Sequence, residues 1–126
     1  MSMNPESFAS WLDAYGRAWE TRDPKAAADL FAEDGAYQVT PFLEPMRGRP
    51  AILEYWTHVA LTEQDIRFGY EILAVTGEQG IARWWASFIR VPPGVPTKLD
   101  GIFLISLDKN GVLCESLREW WHKQQD

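Results

Sequence analysis

Near the N-terminus, apolar positions recur with the period of a helix. Asn4, Pro5 and Glu6 supply a cap, a residue suited to the first helical position and an acid for the first turn. The apolar side chains that follow at helical spacing are Phe8, Trp11, Leu12, Tyr15, Ala18 and Trp19. This pattern predicts one long first helix that buries a single, mostly aromatic face.

Two shorter helices are predicted to follow. Asp23 and Pro24 repeat the start signal and Glu33-Asp34-Gly35 is a stop signal, so a short second helix is expected between them. Its expected buried positions are Ala27, Leu30 and Phe31. Pro50 begins a third helix with the apolar positions Ile52, Leu53, Tyr55, Trp56 and Val59. Between these helices, AYQVT is predicted to be a short strand and PFLEPMRGRP a loop.

After Thr62 the pattern changes to that of β-strands. IRFGYEILAVTGEQGIARWWASFIRV contains two β-rich runs that a turn at TGEQG joins. PPGVP interrupts the chain, and KLDGIFLISLDKNGVLCESLREWWH predicts a second hairpin around Asp108-Lys109-Asn110-Gly111. Helices gathered beside an antiparallel sheet are typical of an α+β fold. We therefore predict a single α+β domain over residues 1–126.

The predicted strands carry apolar residues on both of their faces. Trp84 and Phe88 lie on one side of their strand, whereas Ile81, Trp85 and Ile89 lie on the other. One amphipathic helix can cover only one face of such a sheet. A second copy of the chain is therefore expected to cover the other face, which predicts a homodimer through the sheet.

Composition and charge argue against several classes of partner. The net charge of -6, with no basic block, argues against binding to nucleic acid or to an anionic membrane. Cys114 is the single cysteine, so an intramolecular disulfide is impossible and a reducing, cytoplasmic location is expected. His58 and His122 are the only histidines and lack ligand spacing, so neither a metal nor another cofactor is expected. Neither a signal peptide nor a bilayer-spanning run is recognised.

Two adjacent tryptophans stand near the C-terminus of a chain that is rich in this residue. In a strand, Arg118, Trp120 and His122 would share one face, with Glu119 and Trp121 on the other. Each face then presents one indole, and both faces need a covering element. Large rings line cavities as well as cores, which predicts an aromatic-lined pocket that binds a small hydrophobic molecule.

The order of these elements and three local phrases resemble a known superfamily. The phrases are AWETRDPKAAADLFAEDGAYQV, MRGRPAILEYW and DGIFLISLDKNGVLCESLREWW. They are similar to the nuclear transport factor 2-like superfamily, in particular to its SnoaL-like, polyketide cyclase-like branch. The resemblance implies a cone-shaped, cystatin-like roll in which three N-terminal helices pack on a curved, mostly antiparallel sheet. It also implies a pocket in the cone and, commonly, a homodimer, but no particular reaction.

Two activities of this superfamily can be compared with the chain. A ketosteroid isomerase needs a tyrosine on the first helix, a carboxylate base after the first strand and a second acid on a later strand. Tyr15 fits the tyrosine, but the base position falls on Thr40 and the second acid position near Phe103. Threonine cannot abstract a proton from carbon, which disfavours this reaction. A SnoaL-type cyclase needs mainly one acid, for which Asp100 and His122 are candidates.

An epoxide hydrolase of this kind needs two carboxylates and an arginine that together hold a water and protonate the leaving oxygen. Arg83, Asp100 and Arg118 are strand-borne charges that could converge for this purpose. His122 is a further group that could move a proton. The candidate catalytic set is therefore Asp100, Arg83, Arg118 and His122.

The face on which Asp100 lies depends on the last hairpin turn. If residues 108–111 form a four-residue loop, Asp100 lies on the face of Glu119. If the turn is a three-residue loop with a bulge, Asp100 lies on the face of Arg118 and Trp120. A one-residue slip exchanges the two faces, so the sequence leaves both arrangements open. The resemblance favours a pocket that Arg118 and Trp120 face.

Two functions remain open on the sequence alone. The first is an enzyme that acts on a hydrophobic metabolite by general acid–base chemistry, as an isomerase, cyclase, dehydratase or hydrolase. The second is a non-catalytic ligand-binding or dimeric interaction module. The residues predicted to line the pocket are Tyr15, Trp19, Tyr37, Tyr55, Trp85, Phe103 and Trp120. Trp84 and Trp121 lie on the alternate faces and are predicted to lie at the subunit interface.

Overall fold

A computed structural model describes residues 3–125 of the chain. Within these residues the helices are α1 (Pro5–Glu20), α2 (Pro24–Ala28) and α3 (Arg49–Thr62). The strands are β1 (Phe31–Gln38), β2 (Met46–Arg47), β3 (Glu63–Thr76), β4 (Gln79–Arg90), β5 (Val95–Leu107) and β6 (Cys114–Gln125). They form one sheet in the order β2-β1-β6-β5-β4-β3, antiparallel except for the parallel pair β1 and β6. The predicted α+β roll of three helices on a mostly antiparallel sheet is confirmed.

The first helix begins where the sequence predicts. The Asn4 side chain accepts a hydrogen bond from the backbone N–H of Ser7 at 2.9 Å, and the two residues form a capping box. Pro5 occupies the first turn, where its missing N–H has no cost. The predicted apolar face is buried along its whole length: Phe8, Trp11, Leu12, Tyr15, Ala18 and Trp19. This face packs against the sheet and supplies four rings to the aromatic core: Phe8, Trp11, Tyr15 and Trp19.

The region between α1 and α3 differs from the prediction. The second helix ends at Ala28, and Phe31, predicted to lie in it, instead begins β1. Phe31 pairs with Cys114 of β6, and the Cys114 backbone N–H donates to the Leu30 carbonyl at 2.8 Å. The predicted loop also contains the short strand β2. Pairing between segments that are distant in sequence decides these elements, and the local pattern does not report such pairing.

The register of the last hairpin determines the face of the sheet on which Asp100 lies. Leu107 pairs with Cys114, so the loop between them is longer than either predicted turn, and a bulge precedes Leu107. Beyond this bulge Asp100 lies opposite His122, and residues opposite each other in a sheet share a face. Asp100 is therefore on the face of Trp120, as the second of the two predicted arrangements has it.

The core is a continuous cluster of aromatic rings centred on Tyr15. Its ring centroid lies 5.5 Å from that of Trp56, 5.6 Å from Phe68 and 5.5 Å from Phe103, each with an edge-to-face geometry. Phe103 in turn stacks on Trp84 at 5.0 Å. Such pairs add about 0.5–1.5 kcal/mol each beyond their burial. Rings from α1, α3 and the sheet are thereby locked into one layer.

Candidate functional site

The two faces of the sheet have different surroundings. The inner face packs against α1, and the outer face is the opposite one. On β6, Leu117 and Glu119 are buried on the inner face, while Arg118 and Trp120 are exposed on the outer face. The prediction that Arg118 and Trp120 face the cavity of the cone is wrong. Leu117 is buried in the core, and strand alternation then directs its neighbours outward.

The adjacent tryptophans of β4 also lie on the faces opposite to those predicted. Trp84 is 1% exposed and lies in the core, whereas Trp85 is 39% exposed on the outer face. Trp121 lines the inner cavity, where its indole N–H donates to the Val39 carbonyl at 2.6 Å. Trp84 is therefore a core residue and not an interface residue, and the prediction that Trp85 lines the cavity of the cone is wrong. The Trp85 ring instead covers Gly69, where an added Cβ would lie 2.5 Å from the indole nitrogen.

The predicted catalytic set lies on the outer face. Arg83 Nη2 and Asp100 Oδ2 form an ion pair at 2.6 Å, supported by a second hydrogen bond from Arg83 Nε at 3.1 Å. His122 lies opposite Asp100, but Arg118 donates instead to Gln38. The hydrogen bond from Arg83, with the charges of Arg83 and His122, lowers the pKa of Asp100. The sheet separates these groups from the cavity of the cone.

A hollow of about 640 Å³ lies over this part of the outer face. Arg83 and Asp100 in its wall satisfy each other, and the guanidinium of Arg83 lies 4.7 Å from the centroid of the Trp85 ring. Both partners of the ion pair are about half exposed, at 46% and 52%. Water therefore screens their charges, and the hollow lacks the shielding that general acid–base catalysis uses.

The cavity of the cone is smaller and lies between α1, α3 and the inner face. Its volume is about 250 Å³. Four of the predicted lining residues do line it: Tyr15, Trp19, Tyr37 and Tyr55. Phe103 is on the inner face as well, but it packs beneath Tyr15 and Trp84 in the core. The sequence therefore identified the helical wall of this cavity more accurately than its sheet wall.

Glu119 projects from the inner face of β6 into this cavity. It is 7% exposed, and its Oε2 atom has no hydrogen-bond partner among residues 3–125. Burial raises the pKa of the Glu119 carboxyl well above its ordinary value, and the nearby Tyr37 hydroxyl opposes this shift only in part. An unpaired carboxylate is costly in such a place, so the uncharged acid is the favoured form.

Glu63 is a second carboxyl group in the same cavity, at the start of β3. It accepts a hydrogen bond of 2.7 Å from the Trp19 indole N–H, and Arg90 Nη1 lies 3.5 Å from its Oε2 atom. Burial raises the pKa of Glu63, while the bond from Trp19 and the charge of Arg90 lower it. Glu63 thus has the partners of a carboxylate, which Glu119 lacks.

Tyrosine hydroxyls complete the polar wall of the cavity. The hydroxyls of Tyr15 and Tyr37 share a hydrogen bond of 3.1 Å in a buried position. Burial raises the pKa of both groups well above the ordinary value, and the nearby Glu119 adds to the effect. Burial likewise raises the pKa of Tyr55. All three phenols therefore remain hydrogen-bond donors across the ordinary range of pH.

Sequence reasoning missed both carboxyl groups of this site. Glu119 could have been found, since it alternates with Leu117 and Trp121 and shares whichever face Leu117 buries. Glu63 carries no comparable signal, because it follows α3 directly and its partners Trp19 and Arg90 are distant in sequence.

Between residues 3 and 125, no three His, Cys, Asp or Glu side chains are grouped so that they could hold a metal ion. No helix in the same range is long and apolar enough to cross a membrane. The candidate site is the set of polar groups that line the inner cavity.

The arrangement of three helices on this sheet is the nuclear transport factor 2-like fold. Residues 12–116 match the SnoaL-like domain family, and the chain belongs to this family. The family resemblance seen in the sequence is confirmed. A comparison with curated protein sequences finds no match.

Several solved structures share the fold at low sequence identity. SalBIII, an epoxide hydrolase/cyclase-like enzyme with a role in pyran ring formation in the polyether salinomycin, has a TM-score of 0.81 and 17% identity over 94% of this chain and 93% of its own. A hypothetical protein from Catenulispora acidiphila with a ketosteroid isomerase-like fold, in complex with trimethylamine, has a TM-score of 0.75 and 18% identity over 87% and 83%. A nuclear transport factor 2-like protein of unknown function from Exiguobacterium has a TM-score of 0.75 and 22% identity over 89% and 98%. These likenesses concern the fold.

Proposed function

We propose that the protein is an enzyme that performs general acid–base chemistry on a small, hydrophobic molecule inside the cavity. One observation carries this proposal: two buried carboxyl groups, Glu63 and Glu119, line one cavity but have different hydrogen-bond partners. Titratable groups whose surroundings differ in this way are the usual arrangement of an acid and a base. The surrounding rings exclude water, which strengthens every electrostatic interaction within the site.

The roles of the two groups follow from their surroundings. Glu119 is the general acid, because it is buried without a counter-charge and its uncharged form is favoured. Glu63 is the general base, because Trp19 and Arg90 stabilise its carboxylate. The hydrogen-bonded hydroxyls of Tyr15 and Tyr37 stabilise the oxygen that gains charge as a bond breaks.

Epoxide opening is the reaction that we assign first, and the shared fold with SalBIII supports this choice. Glu119 donates its proton to the epoxide oxygen as the C–O bond breaks. Water, or a hydroxyl group of the same substrate, forms the new bond to that carbon, and Glu63 accepts the proton that this nucleophile loses. Exchange with solvent then returns Glu63 to the carboxylate and Glu119 to the acid.

Hydrolysis of styrene oxide to its diol tests this proposal. We expect Glu119→Gln to lower the protein-dependent rate of hydrolysis, that is, the rate after subtraction of hydrolysis in buffer alone, by about 10²–10⁴-fold. This is the range for loss of a general acid. Asp100→Asn is the matched control, because that carboxylate lies on the outer face and should leave the rate unchanged. A wild type and Glu119→Gln of equal rate would refute the assignment. A wild type that binds the epoxide without opening it would favour the non-catalytic ligand-binding module.

A second copy of the chain is the partner that we propose for the outer face. Ile102 and Leu104 form a half-buried apolar row on this face of β5. Ile102 lies between the exposed Arg83 and Trp120, and Leu104 lies between Ile81 and Arg118. Charges of both signs surround this row, so the face can contact a copy of itself without repulsion. Light scattering of the wild type and of Trp120→Glu tests this proposal. A dimer that becomes a monomer in the variant supports it, and a monomeric wild type at micromolar concentration contradicts it.

A further inference from the structure

Three buried polar atoms of the cavity wall have no hydrogen-bond partner among residues 3–125. They are Nε1 of Trp56, Nε1 of Trp84 and Oε2 of Glu119, and all three residues line the cavity. Trp56 is 4% exposed and Trp84 is 1% exposed, so their N–H groups are shielded from bulk water. Unpaired buried donors are costly and rare in folded proteins. Their concentration at one cavity therefore indicates a ligand.

Three other tryptophans, two in the core and one at the cavity wall, show that this protein normally supplies an acceptor. The indole N–H of Trp11 donates to the Leu30 carbonyl at 2.9 Å. Trp19 donates to Glu63 at 2.7 Å, and Trp121 donates to the Val39 carbonyl at 2.6 Å. Trp56 and Trp84 differ from these three residues in having no acceptor within the chain from Met3 to Gln125.

We propose that Trp56 and Trp84 hold the oxygen atoms of an uncharged ligand that carries two hydrogen-bond acceptors, such as carbonyl, ether or epoxide oxygens. An indole N–H can only donate, so each position requires an acceptor. The protonated Glu119 adds a third donor beside them. This inference names the substrate class of the proposed enzyme, and it rests on the location of that site in the inner cavity.

The charge and size of the cavity narrow this class further. Arg90 is already paired with Glu63, and the other basic side chains of the cavity wall, His58 and Lys123, are exposed. An anion held beside the buried indoles would therefore lose its hydration without a buried cation to replace it. The volume of about 250 Å³ lies below the ~300–1,000 Å³ of pockets for drug-sized ligands. The ligand is therefore a neutral molecule of one or two fused rings whose faces contact the aromatic wall.

Three bicyclic probes of similar size test the proposal. Coumarin is neutral and has two acceptor oxygens, naphthalene has none, and 2-naphthoate is an anion. We expect coumarin to bind at least about tenfold more tightly than the other two probes, as one or two satisfied donors would give. In protein labelled with ¹⁵N-tryptophan, coumarin should shift two indole N–H resonances downfield, and naphthalene should not. Equal affinity for coumarin and naphthalene, or no binding of coumarin, would overturn the proposal.

Single substitutions then identify the donors. Trp56→Phe and Trp84→Phe each keep an aromatic ring but remove the N–H group, and each should delete one of the two shifted resonances. Each should lower coumarin affinity about tenfold relative to naphthalene affinity, which reports any change in the cavity itself. Trp120→Phe, on the outer face, is the matched control and should change neither. A parallel loss of both affinities would mean that the indoles only pack.

These measurements are separate from turnover. Selective binding of coumarin without epoxide opening would leave the ligand class standing while the proposed catalytic function fails. Epoxide opening that depends on Glu119, together with equal binding of coumarin and naphthalene, would support the catalytic function and overturn the proposed ligand class.

Discussion

Each face of the sheet carries a carboxylate, an arginine and a tryptophan in contact, and the two sets behave differently. On the inner face, Glu63 lies 3.5 Å from Arg90 and accepts from Trp19. On the outer face, Asp100 lies 2.6 Å from Arg83, whose guanidinium lies 4.7 Å from the centroid of a tryptophan ring. The shorter ion pair is the half-exposed one. The Glu63 side chain is only 6% exposed, against 52% for Asp100.

Burial outweighs the length of the ion pair in setting the direction of the pKa shift of these two carboxyl groups. The pKa of Asp100 is lowered, chiefly by its hydrogen bond to Arg83. The pKa of Glu63 is raised, because the cost of burial exceeds the help from Trp19 and Arg90. Burial thus raises the pKa of a carboxyl group on the inner face, whereas the same type of group on the outer face remains an ordinary ion.

The largest expected difference between the two faces concerns the adjacent tryptophans of β4. Trp84→Ala should lower the free energy of unfolding by about 3–5 kcal/mol, because it empties a position in the core beside Phe103. Trp85→Ala should cost about 1 kcal/mol or less, because that ring is on the exposed outer face. Urea denaturation of both variants measures the difference. Equal losses would mean that the outer face is shielded as completely as the core.

The next largest difference between the two faces should be in how their carboxyl groups make the free energy of unfolding depend on pH. The pKa of a glutamate side chain in an unfolded chain is about 4.3. The pKa of Glu119 in the folded protein is higher. The contribution of Glu119 is thus fully present below the unfolded pKa and is lost as pH rises toward the folded pKa. The free energy of unfolding of wild type, minus that of Glu119→Gln, should fall above pH 4.3 by at most about 1.4 kcal/mol per pH unit.

The same denaturation series on Asp100→Asn provides the comparison. The pKa of Asp100 is lowered in the folded protein, so its contribution is present above the unfolded pKa and is lost as pH falls. The difference between wild type and this variant should therefore change in the opposite direction. Two curves that slope the same way would contradict the assignment of the two faces.

The tyrosine pair of the inner face should show a smaller effect. Tyr15→Phe and Tyr37→Phe should each cost about 1 kcal/mol, the usual value for one lost hydrogen bond. The double variant should cost less than the sum of the two, because both single variants break the same bond. A double-mutant cycle from urea denaturation checks this expectation, and strictly additive losses would mean that the two hydroxyls do not interact.

The ion pair of the outer face should give the smallest effect. A double-mutant cycle with Arg83→Met and Asp100→Asn should show a weak coupling, because water screens two half-exposed charges. The coupling should vanish in about 1 M salt, where the screening length is about 3 Å. A coupling that persists in high salt would contradict the screening of this ion pair by water.

Much of the fold could be predicted from local pattern. The cap at Asn4 and the aromatic stripe from Phe8 to Trp19 mark α1. Both hairpins lie where their turn residues indicate, although the second loop is longer than predicted. The local pattern predicts Phe31 in the second helix, because only its pairing with Cys114 makes it a strand residue. The helical wall of the cavity was found for the same reason that α1 was found: a helical period identifies its buried side directly.

The sheet wall of the cavity could not be found in this way. A strand with tryptophans at adjacent positions reports that two faces exist, but both faces look apolar. The correct parity depends on the bulge before Leu107 and on which side α1 covers. With the opposite parity, Arg118 and Trp120 would face the cavity and Glu119 would face outward, whereas the structure has Glu119 buried.

The amino-acid sequence by itself determined the order of the elements, the aromatic face of α1 and the family to which the chain belongs, because these depend on periodicity and on turn residues close together in the chain. Only the tertiary structure decided which face of the sheet is buried. That choice depends on register and on packing between distant segments, where a shift by one residue exchanges every side chain. It made acids with raised pKa of Glu63 and Glu119, and it left Asp100 and Arg83 as a screened ion pair.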